Sequence, residues 1–238
     1  MKPRIGILKP GSTFAEMILQ HGDYDAWFER ALGEDVTLRV YETTRDELPD
    51  PEAADGWIVT GARSSVAEPD AAGERLLGWI REVARREVPL LGVCYGHQAI
   101  CQALGGRVSR HPGGWEIGTV EVELTPAGRT DPLLEGFPER FRVQTTHEDH
   151  AVSLPPGAVL LATNPHTAAQ AIALGSSVRG VQFHPEVTEA ILRDFVARRR
   201  HLLPDDPEIG DAPHATRVLR NFLESFVRRR APQLAEGD

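Results

Sequence analysis

Apolar residues come along the first half of the chain in short unbroken runs, separated by longer amphipathic stretches. "RIGILK" (4–9), "VTLRVYE" (36–42), "GWIVTG" (56–61) and "VPLLGVC" (88–94) have the length of strands. The last is continuous enough for a central strand covered on both faces. Between these runs the spacing turns helical. Residues 13–32 predict a helical region broken near Gly22. In "GERLLGWIREVARRE" (73–87), Leu76, Leu77, Ile80, Val83 and Ala84 fall on one helix face. Residues 95–104 predict a further helix, stopped by Gly105 and Gly106. This β-α-β-α order predicts a doubly wound, mostly parallel sheet.

Beyond residue 106 the texture changes. "GTVEVELTP" (118–126) alternates apolar and polar positions, which suits a half-exposed antiparallel strand. Residues 141–149, 158–165, 168–175 and 178–186 predict further strands, so antiparallel strands are expected at one edge of the parallel sheet. Helices are expected at about 188–202 and 215–230, joined by the polar, proline-rich "PDDPEIGDAP". The fold class is α/β, in one domain over 1–238: a core of about 1–195 and a helical extension of about 196–238. Ligands of such sheets bind outside the carboxyl ends of the strands. Three loops lie at such ends: "TGARSS", "GVCYGHQ" and "FHPE".

Composition narrows the function. The 238 residues carry a net charge of −9 and are 41% hydrophobic. An acidic surface repels phosphate backbones, so no nucleic-acid partner is expected. The "RRR" runs at 198–200 and 228–230 are then read as solvated helix faces or partner contacts. No signal-peptide pattern opens the sequence and no run reaches about 18 apolar residues, so no membrane association is expected. Two cysteines make no disulfide framework, and a cytoplasmic location is expected.

One of those cysteines sits in an informative place. Gly92-x-Cys94-x-Gly96 has the form of a nucleophile elbow, in which a strained strand-to-helix turn leaves room only for small residues on either side. The turn places Cys94 at a helix N-terminus, where free N–H groups and the helix dipole favour negative charge on sulfur. Cys101, within the helix, is read as a small core residue. A thiol nucleophile needs a base and the base an orienting group. His97 is nearest in sequence but lies behind the elbow. In "GVQFHPE", His184 and Glu186 stand two residues apart after an apolar run and can face the same side. A zinc site drawn from His147, His150, His184 and Glu186 is the rival reading. It is disfavoured because no CxxC or HExxH occurs, and neither metal nor cofactor is expected.

"GVCYGHQ" followed by "GVQFHPE" resembles the class I (triad) glutamine amidotransferases, over roughly residues 1–195. The likeness is strongest to free-standing members similar to the amidotransferase domain of GMP synthase. The resemblance implies a flavodoxin-like fold and a triad of Cys94, His184 and Glu186. "TGARSSV" (60–66) resembles the family's oxyanion loop, with Gly61 and Ala62 in place of its two glycines. It implies that the Ala62 and Tyr95 N–H groups form the oxyanion hole. Gln98 matches a substrate-binding glutamine. Thr146, His147, Glu148 and Asp149 match the segment whose backbone holds the substrate's α-carboxylate and α-ammonium, with Glu148 standing where the family has glycine. The implied reaction is hydrolysis of the γ-carboxamide of glutamine, or of a γ-glutamyl compound, through a Cys94 thioester. Either a separate synthetase subunit receives the ammonia, or the chain works alone as a γ-glutamyl peptide or amine hydrolase. A catalytically silent binding module of the same fold is the alternative of another class. "WEIG" (115–118) resembles a segment of the free-standing members and is read either as the start of a strand with a packed Trp115 or as a substrate or partner contact.

Overall fold

Strand β1 (Arg4–Lys9) lies inside the parallel half, with β2 (Thr37–Glu42) on one side and β3 (Gly56–Val59) on the other. These positions come from a computed structural model that describes residues 2–230. Next to β3 lie β4 (Leu90–Val93) and then β11 (Val178–Val181), completing a block of five parallel strands. Strands β10 (Ala171–Leu174), β9 (Val159–Thr163), β6 (Glu116–Leu124) and β7 (Arg140–His147) extend it by successive antiparallel pairings to nine strands. The mixed, mostly parallel sheet and its added antiparallel strands are those expected from the runs.

Burial explains why the parallel strands read as continuous apolar runs. Ile5, Ile7, Ile58, Leu91 and Val93 pack on one face with Phe28 and Leu32 of α2 (Tyr24–Leu32) and Phe222 of α6 (Arg217–Phe222). Leu8, Trp57, Val59 and Leu90 pack on the other with Leu76, Ile80 and Val83 of α3 (Ala71–Arg85) and Ile100 of α4 (Tyr95–Ala103). With both faces covered there is no polar side to alternate with. The Asp70 side chain accepts from the Gly73 N–H and starts α3. The expected break near Gly22 separates α1 (Ala15–His21) from α2; Gly22 adopts φ 80°. Helix α5 (Glu189–Arg199) closes a third cluster with Met17, Tyr24 and Trp27.

Three expectations need correction. The run 178–186 is a strand only to Val181, because the chain then leaves the sheet to place "FHPE" above its carboxyl edge. The strand expected at 141–149 ends at His147 and turns at Glu148 into β8 (Asp149–Ser153). β8 pairs antiparallel with β5 (Arg107–Arg110) as a separate two-stranded sheet. Neither strand was expected, since "RVSR" and "DHAVS" are too short and polar to show a period. The last helix continues from α6 through a π-helical turn, Leu223–Val227, and buries Val218, Leu219 and Phe222 in the same cluster as the sheet. Residues 231–238 of the expected extension lie outside the described residues.

Candidate active site

The carboxyl ends of β3, β4 and β11 are adjacent because the three strands are neighbours in the sheet. Their loops therefore converge, although they lie far apart in sequence. At the end of β4, Cys94 takes φ 52° and ψ −104°, in the left-handed region that side chains avoid. Its N–H donates to Val181 O at 2.9 Å and its carbonyl accepts from the Gln98 N–H at 3.0 Å, which tie the strained turn to β11 and α4. The flanking glycines are required by close approach. A Cβ on Gly92 would lie 2.4 Å from Gly96 O, and one on Gly96 2.2 Å from Val59 O. Such backbone contacts cannot relax without moving the elbow.

His184 is 1% exposed, and its Nδ1 is 2.7 Å from Glu186 Oε1. Burial by itself would lower the imidazole's pKa. The charges of Glu186 and of the Cys94 sulfur outweigh it and raise the group from its ordinary 6.5 to about 10. His184 is therefore an imidazolium at neutral pH, with Nε2 free of any other hydrogen-bond partner among the described residues. Tyr24, also buried, stacks on the ring at 6.5 Å between centroids and 15° between planes. Gly61 accounts for the fit of this stack. A Cβ there would meet His184 Cε1 at 2.9 Å and Tyr24 Cε1 at 3.2 Å.

A cavity of about 180 Å³ opens over the cysteine, lined by Cys94, His184, Ala62, Gln98, Thr146, His147 and Glu148 among others. Glu186 sits behind His184 and does not line it. Among the described non-glycine residues only Glu87 and Cys94 have positive φ, so Ala62 has a backbone conformation that alanine adopts without strain. Gln98 donates from Nε2 to Asp149 O at 2.7 Å and to Gln182 Oε1 at 3.1 Å, which orients its amide. The Thr146 hydroxyl is buried without a partner among the described residues. Glu148 turns its carboxylate toward Arg110, 3.9 Å away.

The His147 ring faces the protein interior. Its Nε2 is 2.8 Å from Glu116 Oε2 and its Nδ1 3.1 Å from Asp149 O. Glu116 also accepts from Asn164 and Gln170, at 2.6 and 2.9 Å. Burial alone would raise the Glu116 carboxyl, but the His147 and Asn164 bonds hold it below its ordinary value. In the "WEIG" segment, Glu116 therefore anchors the 146–149 corner, while Trp115 lines the cavity. The residues of the zinc reading are dispersed into separate pairs. His147 meets Glu116, His184 meets Glu186, and His150 packs edge-on to His111. Among the described residues no group of three or more His, Cys, Asp or Glu is arranged to hold a metal ion. His97 is fully buried beneath Gly180, and burial, reinforced by His147, pushes its pKa down to about 3, so it stays neutral. Burial pushes the Cys101 thiol up to about 12.

Sequence reasoning did not find Tyr24, Arg63 or Arg199, all of which line the cavity. Arg199 also corrects the reading of "RRR" (198–200) as a solvated face. Only Arg200 is exposed there; Arg198 is half-buried and Arg199 is 8% exposed. The helical register of α5 turns Arg199 inward, a placement that charge alone conceals.

A strained cysteine beside a buried imidazole–carboxylate pair, at the carboxyl edge of a parallel sheet, is the equipment of a cysteine hydrolase. Comparison with known proteins narrows the class. The family model "Glutamine amidotransferase class-I" matches residues 28–199. The glutamine-hydrolyzing GMP synthase of Thermomicrobium roseum is 37% identical over 173 residues, 73% of this chain and 30% of that one. A glutamine-hydrolyzing GMP synthase subunit of Saccharolobus solfataricus is 32% identical over 187 residues, 77% of this chain and 89% of that one. The solved glutamine amido transferase of Methylobacillus flagellatus superposes with a TM-score of 0.74 at 23% identity, covering 95% of this chain and 96% of that one. The chain belongs to the class-I glutamine amidotransferase family, and it has that family's flavodoxin-like α/β fold. It corresponds to about a third or less of the length of the first GMP synthases it matches. No helix among the described residues is long and apolar enough to cross a membrane.

Proposed function

We propose that this chain hydrolyses the γ-carboxamide of glutamine, or of a γ-glutamyl compound, with Cys94 as nucleophile. The observation that carries the reading is the buried His184–Glu186 pair beside the strained elbow. Cys94 sulfur attacks the amide carbon. The N–H groups of Tyr95 and Ala62 stabilise the tetrahedral oxyanion, each contributing about 3 kcal/mol in sites of this kind. The His184 imidazolium gives its proton to the departing amine, leaving a γ-glutamyl thioester. The neutral ring then takes a proton from water, whose oxygen attacks the thioester and releases glutamate. Glu186 holds the ring's orientation and balances its charge. Gly61 keeps room for that ring. Gln98, Thr146, His147 and Glu148 form the substrate end, His147 by fixing the corner rather than by its ring.

The single domain includes the helical extension, a reading supported by the burial of α6 side chains in the sheet's own cluster. A cytoplasmic location is supported by two free, buried cysteines and by relatives that are GMP synthases. The relative from Saccharolobus solfataricus, itself a subunit, supports a separate synthetase partner that receives the ammonia. The carboxylate of Glu148 beside the substrate end favours the second reading, a stand-alone hydrolase of γ-glutamyl peptides or amines. Glutamine and a panel of γ-glutamyl amides and dipeptides, assayed with wild type and Cys94→Ala, decide between them. Turnover of γ-glutamyl compounds by the chain alone supports the hydrolase, and feeble turnover of glutamine only supports the partnered form. Equal product from wild type and Cys94→Ala overturns the cysteine mechanism.

A further inference from the structure

The net charge of the chain is −9, yet the walls of its reaction cavity carry arginines. Arg199 is the unusual one. Its guanidinium is held among three aromatic rings, 5.0 Å from the centroid of Phe14, 4.8 Å from Trp115 and 5.1 Å from Phe195. Its Nη1 is buried with no hydrogen-bond partner among the described residues. No carboxylate among them pairs with it; the Cys94 sulfur nearby favours the cation and Arg63, of the same sign, opposes it. Arg63 stacks on the same Phe14 ring, at 4.2 Å, and also lines the cavity. A buried cation without a paired carboxylate is costly, and cation–π contacts and the Cys94 sulfur nearby recover only part of its lost hydration. Glu148 and Asp149 also line the cavity, but among the described residues neither Arg63 nor Arg199 is paired with a carboxylate, which leaves both open to one brought from outside. The planar guanidinium fork matches a carboxylate through two parallel hydrogen bonds, which an ammonium cannot reproduce.

We infer that Arg199, with Arg63, forms a subsite for a carboxylate of the substrate, in the same cavity as Cys94. The inference rests on the proposed amide hydrolysis for its activity readout but not for its binding readout. The carboxylate has two sources: the α-carboxylate of the glutamyl part, which the arginines would share with the 146–149 corner of the same cavity, or one on the leaving amine, as in a γ-glutamyl dipeptide. Arg199 is here a specificity residue, holding substrate through interactions present before and during reaction. Its loss therefore raises KM and leaves kcat nearly unchanged.

The test measures kcat and KM on four compounds: L-glutamine, L-glutaminamide, γ-glutamylglycine and γ-glutamylmethylamide. For Arg199→Gln, KM is expected to rise by about 10- to 100-fold wherever the recognised carboxylate is present, the usual size for a charge-assisted pair. A loss with glutamine but not glutaminamide assigns the α-carboxylate. A loss with γ-glutamylglycine but not the methylamide assigns the leaving-group carboxylate. Arg199→Lys is expected to recover only part of the affinity. Arg63→Gln, at an exposed position, is expected to raise KM in the same selective pattern and serves if Arg199→Gln does not fold. Equal losses on all four compounds, or none on any, overturn the subsite. Calorimetric titration of glutarate into Cys94→Ala, with and without the arginine substitutions, gives the readout free of turnover. Binding that disappears with Arg199→Gln or Arg63→Gln sustains the subsite even if wild type cleaves none of the four amides, in which case the hydrolase reading alone falls. Absence of glutarate binding at millimolar concentration, or binding indifferent to both arginines, overturns it.

Discussion

Replacing Glu186 by glutamine removes one buried negative charge while keeping the size of the side chain and an oxygen that accepts from the imidazole. In the wild type, Glu186 Oε1 lies 2.7 Å from His184 Nδ1, and both residues are at most 4% exposed. Burial opposes the imidazolium, yet the Glu186 and Cys94 charges carry its pKa from 6.5 to about 10. At about 1.4 kcal/mol per pKa unit, the protonated ring is favoured over the neutral one by on the order of 5 kcal/mol relative to free histidine. With glutamine in place, Cys94 alone remains to oppose burial, so the His184 pKa should fall toward its ordinary value. Because the folded pKa is raised, this stabilisation is fully present below about 6.5 and is lost as pH rises through about 10. Unfolding free energies of wild type and Glu186→Gln from urea titration should therefore differ by about 3–5 kcal/mol at neutral pH, the usual cost of breaking a buried pair. The gap should narrow as pH rises above about 6.5 and close near pH 10. kcat on the best γ-glutamyl substrate should fall by about 10²–10⁴, the range for losing an oriented acid–base group. A stability gap constant across pH, or a variant with wild-type kcat, would refute the assignment of the His184 charge to this pair.

Gly61→Ala puts a Cβ 2.9 Å from His184 Cε1 and 3.2 Å from Tyr24 Cε1. It should displace the ring and cut kcat at least about tenfold while costing about 1–3 kcal/mol in denaturant stability; unchanged kcat would show that the ring position does not matter. Iodoacetamide on the native chain should alkylate Cys94, which lines the cavity, and spare Cys101, which is 0% exposed, as read by peptide mass spectrometry. Equal labelling of both without denaturant contradicts the site's geometry. Leu219→Ala, at a 1% exposed position of α6, should cost about 2–5 kcal/mol in thermal or urea unfolding. A loss below about 1 kcal/mol would mean that the extension contributes little to the core.

The extent to which the site was legible follows from the range of each signal. The elbow is local: small residues at 92 and 96 are demanded by backbone atoms within a few residues or on the next strand, and the spacing declares it. His184 and Glu186 are two residues apart, so their meeting requires only an extended segment. The Glu116–His147 pair joins positions 31 apart through the register of β6 and β7, and nothing local announces it. Arg199 reads as one member of a solvated basic run, and only the packing of α5 against Phe14 and Trp115 turns it inward.

From the sequence alone came the layer architecture, because strands buried on both faces must be apolar throughout and helices must show a 3.6-residue stripe. The glycine-flanked Cys94 and the His184–Glu186 pair were legible the same way, since each is a pattern a few residues long. Tertiary structure decided that the loops after β3, β4 and β11 share one cavity, and that Glu186 and Cys94 outweigh burial and push the His184 pKa up to about 10. It also decided that two arginines without carboxylate partners among the described residues face the same cavity as the thiol. Those outcomes depend on strand order, burial and through-space charge, none of which is a function of distance along the chain.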